Sequence, residues 1–472
     1  MGFLENIIYW LADFMWGTWM TVIIVLTGMY LSIKFKFKYI TKIKFHFKNT
    51  IGKMAQKGEG EGTVSGFAAA CTALANTIGT GNIAGVASAI ATGGPGAIFW
   101  MWISGLLGMS TKACEIILGQ RYRVKYEKSM DEYVCDRSFV MKNALGWKKG
   151  AMVLAIFCFM FGPWTCCVQT EAVTSSLNEA FGVPPLASVI VIGITCFAIM
   201  FGGLRRIAGV AEKIVPFMAL IYIVAGLGVM LLNIDKVPGT FAMIFKYAFT
   251  PMAGVGGFVG ATVKDAVRYG VARGVYSNDA GTGYGMIAHA AAKTDHPVRQ
   301  SSWGWGEVFL DTVVVCSITA FTILVTNSYV DNEATSAQLA TIAFKSVYGH
   351  FGGWIIGIVI ALLAWTTIIG MYYSCAKSIN YAFGDTKANK IANNIYIVYY
   401  MVPCLLFYNV QADLLWAFTD ILSACYVLIT LFFIYSKRKV IFGLFDDFWN
   451  RFIPAINRGE KPEPCSFETL EK

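Results

Sequence analysis

Apolar runs of about 20 residues recur along the whole chain, and each is long enough to cross a bilayer as an α-helix. The composition agrees, since 56% of the residues are hydrophobic and 14% are charged, whereas soluble domains carry about 25% charged residues. The sequence therefore predicts an all-α polytopic membrane protein and argues against a soluble fold.

Eleven membrane-spanning helices account for these runs. We expect them at 7–33, 64–91, 97–118, 150–178, 187–203, 213–232, 261–292, 303–328, 353–379, 391–408 and 413–435. The first run contains Glu5 and Asp13 and lacks a basic start. We therefore interpret it as a retained span rather than a signal peptide.

Basic residues predict the orientation of the chain in the membrane. Eight lysines between positions 34 and 57 precede the acidic Glu59, and Lys437-Arg438-Lys439 follows the last span. Cytoplasmic loops of membrane proteins are enriched in Lys and Arg. We expect an N-terminus outside the cell, a cytoplasmic C-terminus and a location in the cell membrane. The net charge of +9 lies mostly in such loops, so it does not indicate nucleic-acid binding.

Two spans are interrupted by nearly the same text, Asn76-Thr77-Ile78-Gly79-Thr80-Gly81-Asn82 and Asn278-Asp279-Ala280-Gly281-Thr282-Gly283-Tyr284. Glycine inside a span loosens the helix, because it adopts backbone angles that other residues avoid. Without the first span, the remaining ten divide into five plus five, and each half begins with its broken span. Halves with an odd number of spans have opposite orientation, and paired interruptions in such halves indicate a transporter binding site.

This reading divides the chain into four parts. They are an N-terminal helix with its basic loop (1–62), a first five-helix repeat (63–235), a second, inverted five-helix repeat (236–436) and a cytoplasmic tail (437–472).

The two breaks expose backbone groups of opposite polarity. Freed amides of Gly79, Thr80 and Gly81 suit a carboxylate, whereas freed carbonyls near Ala75, Ile78 and Asn278 suit a cation or an ammonium group. A site with both poles suits a zwitterion such as an amino acid. The alternative is a glycine-rich packing face, which does not need Asn, Asp and Thr at the same place. Gly79-Thr80-Gly81-Asn82-Ile83-Ala84 also matches a dinucleotide fingerprint, but that motif requires a preceding strand.

Two acids lie at membrane depth, where such residues are usually functional. Asp279 can face the substrate ammonium or cap a half-helix. Glu171 can take up a proton or, as we favour, pair with one of Lys264, Arg268 and Arg273.

Thr366 and Thr367 lie in the middle of the ninth span and offer two hydroxyl oxygens. Hard cations prefer oxygen ligands, although a threonine hydroxyl in a helix can also bond back to its own backbone. Both readings remain open from the sequence.

Two long blocks resemble the alanine or glycine:cation symporter family. They are 67–123, with Asn76 to Ala87, Gly93-Gly94-Pro95-Gly96 and Trp100-Met101-Trp102, and 258–300, with Gly260-Ala261-Thr262-Val263, Arg268 to Gly274, Ser277-Asn278 and Ala288 to Asp295. The resemblance implies eleven helices with a leucine-transporter-like core of two inverted five-helix repeats. It also implies uptake of small neutral amino acids driven by sodium, sometimes by protons.

The first break also resembles the first core helix of the neurotransmitter:sodium symporters, and the two resemblances imply the ligands. One sodium ion would meet the carbonyls of Ala75, Ile78 and Leu363 and the hydroxyls of Thr366 and Thr367, and a second possible cation would meet the Thr77 carbonyl and the Asn82 side chain. The implied substrate site contains Thr77, Gly79, Thr80, Gly81, Gln169, Asp279, Ala280, Gly281, Thr282, Gly283, Tyr284 and Met371.

This chain departs from the family pattern where the substrate would bind. The family typically reads Asn-Met-Val-Gln-x-Asn where this chain has Cys166-Cys167-Val168-Gln169-Thr170-Glu171. Asp279, Thr282 and Tyr284 replace Glu, Leu and Ser at the second break, and Met371 stands where the family tends to have Trp. Alanine or glycine is therefore only the default substrate.

We predict a sodium-coupled symporter for a small neutral amino acid, with protons as the alternative coupling ion. We expect a monomer that needs no organic cofactor and has no enzymatic activity. A channel would need a pore-lining ring of charge, which the sequence does not show. A sensor that binds without transport remains a further alternative.

Overall fold

The computed structural model describes residues 2–54, 58, 60–252, 261–330, 337–408 and 412–462. Parts of the predicted second repeat and residues 463–472 of the predicted tail lie outside these ranges.

The N-terminal part contains two helices where one span is expected. Its helices are α1 (Phe3–Met15), α2 (Thr18–Lys34), α3 (Lys38–Thr41) and α4 (Ile43–Asn49). The chain leaves the helix at Trp16, and Gly17 is extended with φ −66° and ψ 175°. The Trp16 carbonyl accepts a hydrogen bond from Arg268 Nε at 3.1 Å, which satisfies a carbonyl that the helix end leaves free.

The first half begins with the broken pair and ends in the long helix α12. Its elements are α5 (Gly66–Thr77), a 3₁₀ turn (Thr80–Asn82), α6 (Ala84–Gly93), α7 (Gly96–Tyr122), β1 (Val124–Tyr126), β2 (Glu132–Val134), α8 (Arg137–Leu145), α9 (Lys148–Phe161), a 3₁₀ turn (Gly162–Cys166), α10 (Cys167–Phe181), α11 (Pro185–Met200) and α12 (Gly203–Leu232). The strands form an antiparallel hairpin with Val124 opposite Val134, a small element that the sequence reading did not anticipate.

The second half repeats this order with one additional helix before its first two spans and one after them. Its elements are α13 (Val237–Phe249), α14 (Val263–Asn278), α15 (Tyr284–Ala290), α16 (Pro297–Val308), a π-helical turn (Phe309–Cys316), α17 (Ser317–Val325), α18 (Ala337–Tyr348), α19 (His350–Phe383), α20 (Lys387–Leu406), α21 (Ala412–Ser436), α22 (Arg438–Asp447), a π-helical turn (Phe448–Phe452) and α23 (Ile453–Asn457). A 3₁₀ turn, Ile234–Lys236, precedes α13.

Seven helical stretches in the described residues are long and apolar enough to cross a membrane. They are Phe3–Lys34, Gly96–Tyr122, Lys148–Phe181, Gly203–Leu232, Pro297–Val325, His350–Phe383 and Asp413–Ser436. The broken helices are each too short to meet that criterion, because their breaks divide them. The polytopic all-α architecture is thus confirmed, while the count of eleven stays a prediction.

Both broken helices start at a hydroxyl cap. Ser65 Oγ accepts from the Ala68 amide at 3.0 Å, and Thr262 Oγ1 accepts from the Asp265 amide at 3.2 Å. Each cap satisfies an amide that has no partner inside the helix. The two half-helices α5 and α14 therefore begin in the same way and end in the two breaks.

The core forms where the two halves cross. α14 packs against α6 and α7, α15 packs against α5 and α7, and α19 packs against α5, α10 and α12. This crossing brings the ends of α5 and α14 together in the interior of the protein.

Candidate functional site

Both helices unwind at the residues that the sequence indicated. α5 ends at Thr77, and Gly79 is extended with φ −144° and ψ −151°. α14 ends at Asn278, after which Asp279, Gly281 and Gly283 have φ of 55°, 103° and 87°. Glycine adopts positive φ without strain, and the short side chain of Asp tolerates it. The local sequence therefore explains the second break directly.

The two breaks are joined through Asp279. Asn76 Nδ2 donates to Asp279 Oδ2 at 2.9 Å, and Thr77 Oγ1 approaches the same oxygen at 3.3 Å. The side chain of Asp279 is 7% exposed. One carboxylate thus holds the end of α5 against the start of the second break, and the predicted meeting of the breaks is observed.

A cavity of about 30 Å³ lies between the breaks, α10, α19 and α21. It is lined by Trp16, Asn76, Thr77, Gly79, Gly81, Thr165, Gln169, Val275, Tyr276, Asp279, Thr282, Tyr284, Met371, Thr419, Ser423 and Tyr426. Eight of the predicted substrate residues belong to this lining, namely Thr77, Gly79, Gly81, Gln169, Asp279, Thr282, Tyr284 and Met371.

The other four predicted substrate residues, Thr80, Ala280, Gly281 and Gly283, are not among the lining residues. The Gly281 amide donates to Glu115 Oε1 at 2.5 Å, and the Ala280 amide donates to Asn278 Oδ1 at 2.9 Å. A side chain at Gly283 would meet Thr430 and Arg137. The second break therefore turns part of its backbone towards α7 and α8 rather than towards the cavity.

The first break uses one of its amides internally. The Gly79 amide donates to Asn82 Oδ1 at 2.9 Å, so it is already paired. The Thr80 amide lies 3.4 Å from Gln169 Oε1, and Gly81 lines the cavity. Of the three amides that the sequence offered to a carboxylate, those of Gly79 and Thr80 donate to Asn82 and Gln169, and Gly81 belongs to the cavity lining.

Oxygen atoms predicted to bind sodium lie together where α19 crosses α5. Thr367 Oγ1 is 2.9 Å from the Leu363 carbonyl and 3.3 Å from the Ile78 carbonyl. Thr366 Oγ1 is 2.9 Å from the Leu363 carbonyl. At Gly370 a Cβ would lie 3.0 Å from the carbonyl carbon of Ala75, so this glycine permits the close approach.

Both readings of the two threonines have support in this geometry. Each hydroxyl bonds back to its own helix, and Thr366 Oγ1 also lies 3.0 Å from the Leu362 carbonyl. Thr367 in addition reaches the unwound carbonyl of Ile78 in the other half of the protein.

Asn82 lies beside an acid that the sequence reading missed. Its Nδ2 donates to Asp311 Oδ1 at 2.5 Å. Asp311 Oδ2 accepts from Ser277 Oγ and from Thr312 Oγ1, each at 2.9 Å. Asp311 lies in the π-helical turn Phe309–Cys316 and is fully buried. An acid within an apolar span was the available signal, because such residues are usually functional.

A buried lysine also contacts the second break. Lys112 Nζ donates to the Asn278 carbonyl at 3.3 Å and lies 3.9 Å from Glu307 Oε2. We expected the Asn278 carbonyl to bind a cation or an ammonium group, and in the structure it accepts a hydrogen bond from the ammonium group of Lys112. Glu115, one helical turn from Lys112, accepts from the Gly285 amide at 3.1 Å as well as from Gly281.

The lysine continues into a buried chain of polar groups. Glu307 Oε1 lies 2.5 Å from His289 Nε2, and His289 Nδ1 lies 2.8 Å from Gln300 Nε2. An amide nitrogen only donates, so His289 Nδ1 accepts and the proton is on Nε2. The sequence signal for this chain was the spacing of Lys112 and Glu115, which places both on one face of a helix.

Glu171 does not form the ion pair that we favoured. Arg268 Nη2 donates to Asp13 Oδ1 at 2.7 Å, and Arg273 Nη1 donates to Asp420 Oδ1 at 3.1 Å. Within the described ranges no ion pair involves Glu171. The reason is that Asp13 of α1 and Asp420 of α21 already pair with these two arginines.

Ion pairs and hydrogen bonds join the elements around the two breaks. Arg268 pairs with Asp13 of α1, and Arg273 pairs with Asp420 of α21. The Thr63 amide, before α5, donates to the Ala291 carbonyl at 2.7 Å. Arg123 donates to the carbonyls of Glu61, Ala290 and Ala292. These contacts hold the chain before α5 against the chain after α15.

Two inverted halves, each starting with a broken helix and crossing around a small polar cavity, define a secondary transporter. The structure of MhsT in complex with L-phenylalanine superposes with a TM-score of 0.56, covers 87% of this chain and 95% of that chain, and is 13% identical. The fold is therefore leucine-transporter-like.

The sodium:alanine symporter family model matches residues 1–461, and the chain belongs to that family. The sodium/alanine symporter AgcS of Methanococcus maripaludis is 35% identical over 419 residues, covering 87% of this chain and 90% of AgcS. An uncharacterized transporter of Haemophilus influenzae is 36% identical over 465 residues, covering 98% of this chain and 99% of that protein. The protein is a membrane transporter and not an enzyme.

Proposed function

We propose that the protein takes up a small neutral amino acid together with sodium. The observation that carries this proposal is the position of Thr367, whose hydroxyl reaches the unwound carbonyl of Ile78 close to the cavity between the breaks. A cation at this point would touch the first break and α19 at once. Family membership and the name of the relative AgcS support the same transport class.

The substrate carboxylate would bind at the first break. The amides of Thr80 and Gly81 are at the N-terminal end of the 3₁₀ turn that leads into α6, and helix N-termini favour anions. Gln169 Oε1 accepts from the Thr80 amide at 3.4 Å, so the Gln169 side chain would lie beside the bound carboxylate and orient it.

The substrate ammonium would bind at Asp279. Its Oδ2 is held by Asn76 and Thr77, and this leaves Oδ1 for a charged donor. Charge-assisted hydrogen bonds of this kind are shorter and stronger than neutral ones. Thr282, Tyr284 and Met371 would then surround the side chain, and the flexible Met371 permits some variation in its size.

Sodium would bind to oxygen ligands from the first break and from α19, where these two elements meet. The ligands are the carbonyls of Ala75, Ile78 and Leu363 and the hydroxyls of Thr366 and Thr367, which match the preference of hard cations for oxygen. Occupancy would hold α5 against α19 and favour the conformation that binds substrate, and such differential affinity is what coupling requires.

A second cation could bind in addition to this sodium ion, and the position of Asp311 supports such a site. We infer that a cation near the Thr77 carbonyl and Asn82 would have the Asp311 carboxylate in reach, because Asn82 already contacts it. A proton on Asp311 is the competing form of the same proposal. Alternating access would follow from rocking of one helix bundle against the rest.

The remaining features of the proposal follow the sequence. The N-terminus would be outside the cell and the C-terminus in the cytoplasm of a cell-membrane protein. The two five-helix repeats would be 63–235 and 236–436, flanked by 1–62 and 437–472. The protein would act as a monomer without an organic cofactor.

Uptake by purified protein in liposomes tests the proposal. With an inward sodium gradient we expect saturable uptake of alanine, which disappears when choline replaces sodium at fixed pH. Equal uptake in choline would exclude sodium coupling. An inward proton gradient then separates the alternatives, because uptake that follows it and is lost in Asp311→Asn would identify the proton-coupled form.

A further inference from the structure

Trp16 lies between two cavities. The first is the cavity of about 30 Å³ between the breaks. The second, the vestibule, has about 270 Å³, and its lining includes Asp13, Trp16, Arg268, Arg273, Trp416 and Asp420. Trp16 is the one described residue that belongs to both linings. It therefore lies at the boundary between the vestibule and the substrate cavity.

The break between α1 and α2 places Trp16 in this position. Gly17 is extended, which turns the chain and leaves Trp16 only 4% exposed. The indole Nε1 donates to the Asp420 carbonyl of α21 at 2.9 Å. The backbone beside it is held by α14, because Arg268 donates to the Trp16 carbonyl and pairs with Asp13.

We propose that Trp16 is the lid of the substrate cavity on the vestibule side and limits the size of the transported amino acid. The inference rests on the proposed function, which gives the cavity its ligand. It also gives the first helical stretch, which lies outside the two repeats, a direct part in selectivity.

The volumes explain why a lid is needed at this point. About 30 Å³ of free volume corresponds to two or three water molecules, since about 10–15 Å³ is needed for each. The walls must therefore separate to admit an amino acid. Trp16 borders the vestibule, and its indole donates a hydrogen bond to the Asp420 carbonyl. Movement of the side chain into the vestibule therefore breaks this hydrogen bond but no ion pair.

Selectivity between a small and a larger amino acid tests the lid. Trp16→Ala is compared with Trp10→Ala on the same helix, where Trp10 is 65% exposed and stacks on Phe14 at 5.7 Å. We expect the ratio of kcat/KM for alanine over leucine to fall by roughly tenfold or more in Trp16→Ala, since pocket volume discriminates on this scale. Trp10→Ala should keep the ratio of the unmodified protein.

A purely structural role for Trp16 predicts a different pattern. Loss of folding would lower both rates together and leave their ratio unchanged. An unchanged ratio in a Trp16→Ala protein that still transports would overturn the proposal. Trp16→Leu, which keeps an apolar side chain of smaller size, is the second variant if alanine at this position prevents folding, and the same two outcomes apply to it.

A second measurement does not depend on the substrate. Thr419 lines the cavity and is buried, so a Thr419→Cys protein reports access from the vestibule. A membrane-impermeant maleimide added from outside should label it several-fold faster when Trp16→Ala is added, but not when Trp10→Ala is added. Labelling is measured relative to the protein without the new cysteine. Equal rates would overturn the lid, whereas absence of sodium-dependent uptake with faster labelling would overturn only the proposed function.

Discussion

Replacing Lys112 with methionine is the substitution whose effect on the free energy of unfolding the structure defines most clearly. The ammonium group is fully buried and lies 3.9 Å from Glu307 Oε2 while donating to the Asn278 carbonyl. Methionine is one atom shorter than lysine and removes the charge. Glu307 would then be left with the hydrogen bond from His289 Nε2, and the carbonyl at the end of α14 would lose its donor.

The magnitude follows from the burial of both partners. Removing one member of a buried ion pair costs about 3–5 kcal/mol, because the other charge stays desolvated. We expect about 3 kcal/mol for Lys112→Met, since the 3.9 Å separation is long and the hydrogen bond from His289 Nε2 to Glu307 Oε1 remains. The surface pair of Lys345 and Glu179, at 3.0 Å with both side chains more than a third exposed, should contribute less than about 1 kcal/mol.

A double-mutant cycle measures this coupling. The free energy of unfolding is determined by denaturant titration in mixed micelles for Lys112→Met, Glu307→Gln and the double variant, with Lys345→Met as the matched surface control. The double variant should cost less than the sum of the single variants by about 1–3 kcal/mol. Additive single effects, or a Lys112→Met no less stable than Lys345→Met, would refute the reasoning.

Three further variants address the site and the N-terminal end of α16. In Gly79→Ala the new Cβ would lie 2.5 Å from Thr367 Oγ1, and overpacking of about 1–3 kcal/mol should raise the sodium concentration needed for half-maximal uptake by roughly fivefold or more. Asp279→Asn removes the charge bound by Asn76 and should lower kcat/KM for alanine by roughly 10–100-fold without a comparable change in Tm; an unchanged kcat/KM would exclude the ammonium role. Burial lowers the pKa of His296 to about 4, below the value of about 6.5 in unfolded chains, so stability should fall as the pH drops from 6.5 towards 4. In His296→Asn, which keeps an N-cap side chain, Tm should fall less over this range, and an equal fall would contradict that assignment.

The two breaks were predictable because their causes are local. Their meeting was predictable from paired interruptions in two inverted halves. Glycine and Asp279 occupy positive φ at the second break, and these preferences can be read from residue type. The two adjacent threonines in α19 were likewise visible as an unusual polar pair in an apolar span.

The residues that the sequence reading missed depend on which helices pack together. Lys112 and Asp311 are charged residues in apolar spans, but nothing in either span shows that they meet the two breaks. Trp16 belongs to a helix that the repeat pattern set aside, and its contact with Asp420 joins opposite ends of the chain. These residues come together only through tertiary packing, so the periodicity and spacing of the sequence do not predict the contacts.

The predicted partner of Glu171 was wrong for a related reason. Charge and membrane depth made Arg268 and Arg273 reasonable candidates, but Asp13 and Asp420 lie on the neighbouring helices and reach them. Competition among several acids is decided by packing geometry.

The sodium dependence of Thr367→Ala tests the central claim most directly. In liposomes, the sodium concentration for half-maximal alanine uptake should rise by roughly tenfold or more, which corresponds to about 1.4 kcal/mol of lost binding. Thr367→Ser keeps the hydroxyl and should stay close to the unmodified protein, while Gln169→Ala should change the KM for alanine more than the sodium requirement. A Thr367→Ala protein with an unchanged sodium requirement, or a larger shift in Gln169→Ala, would contradict the account.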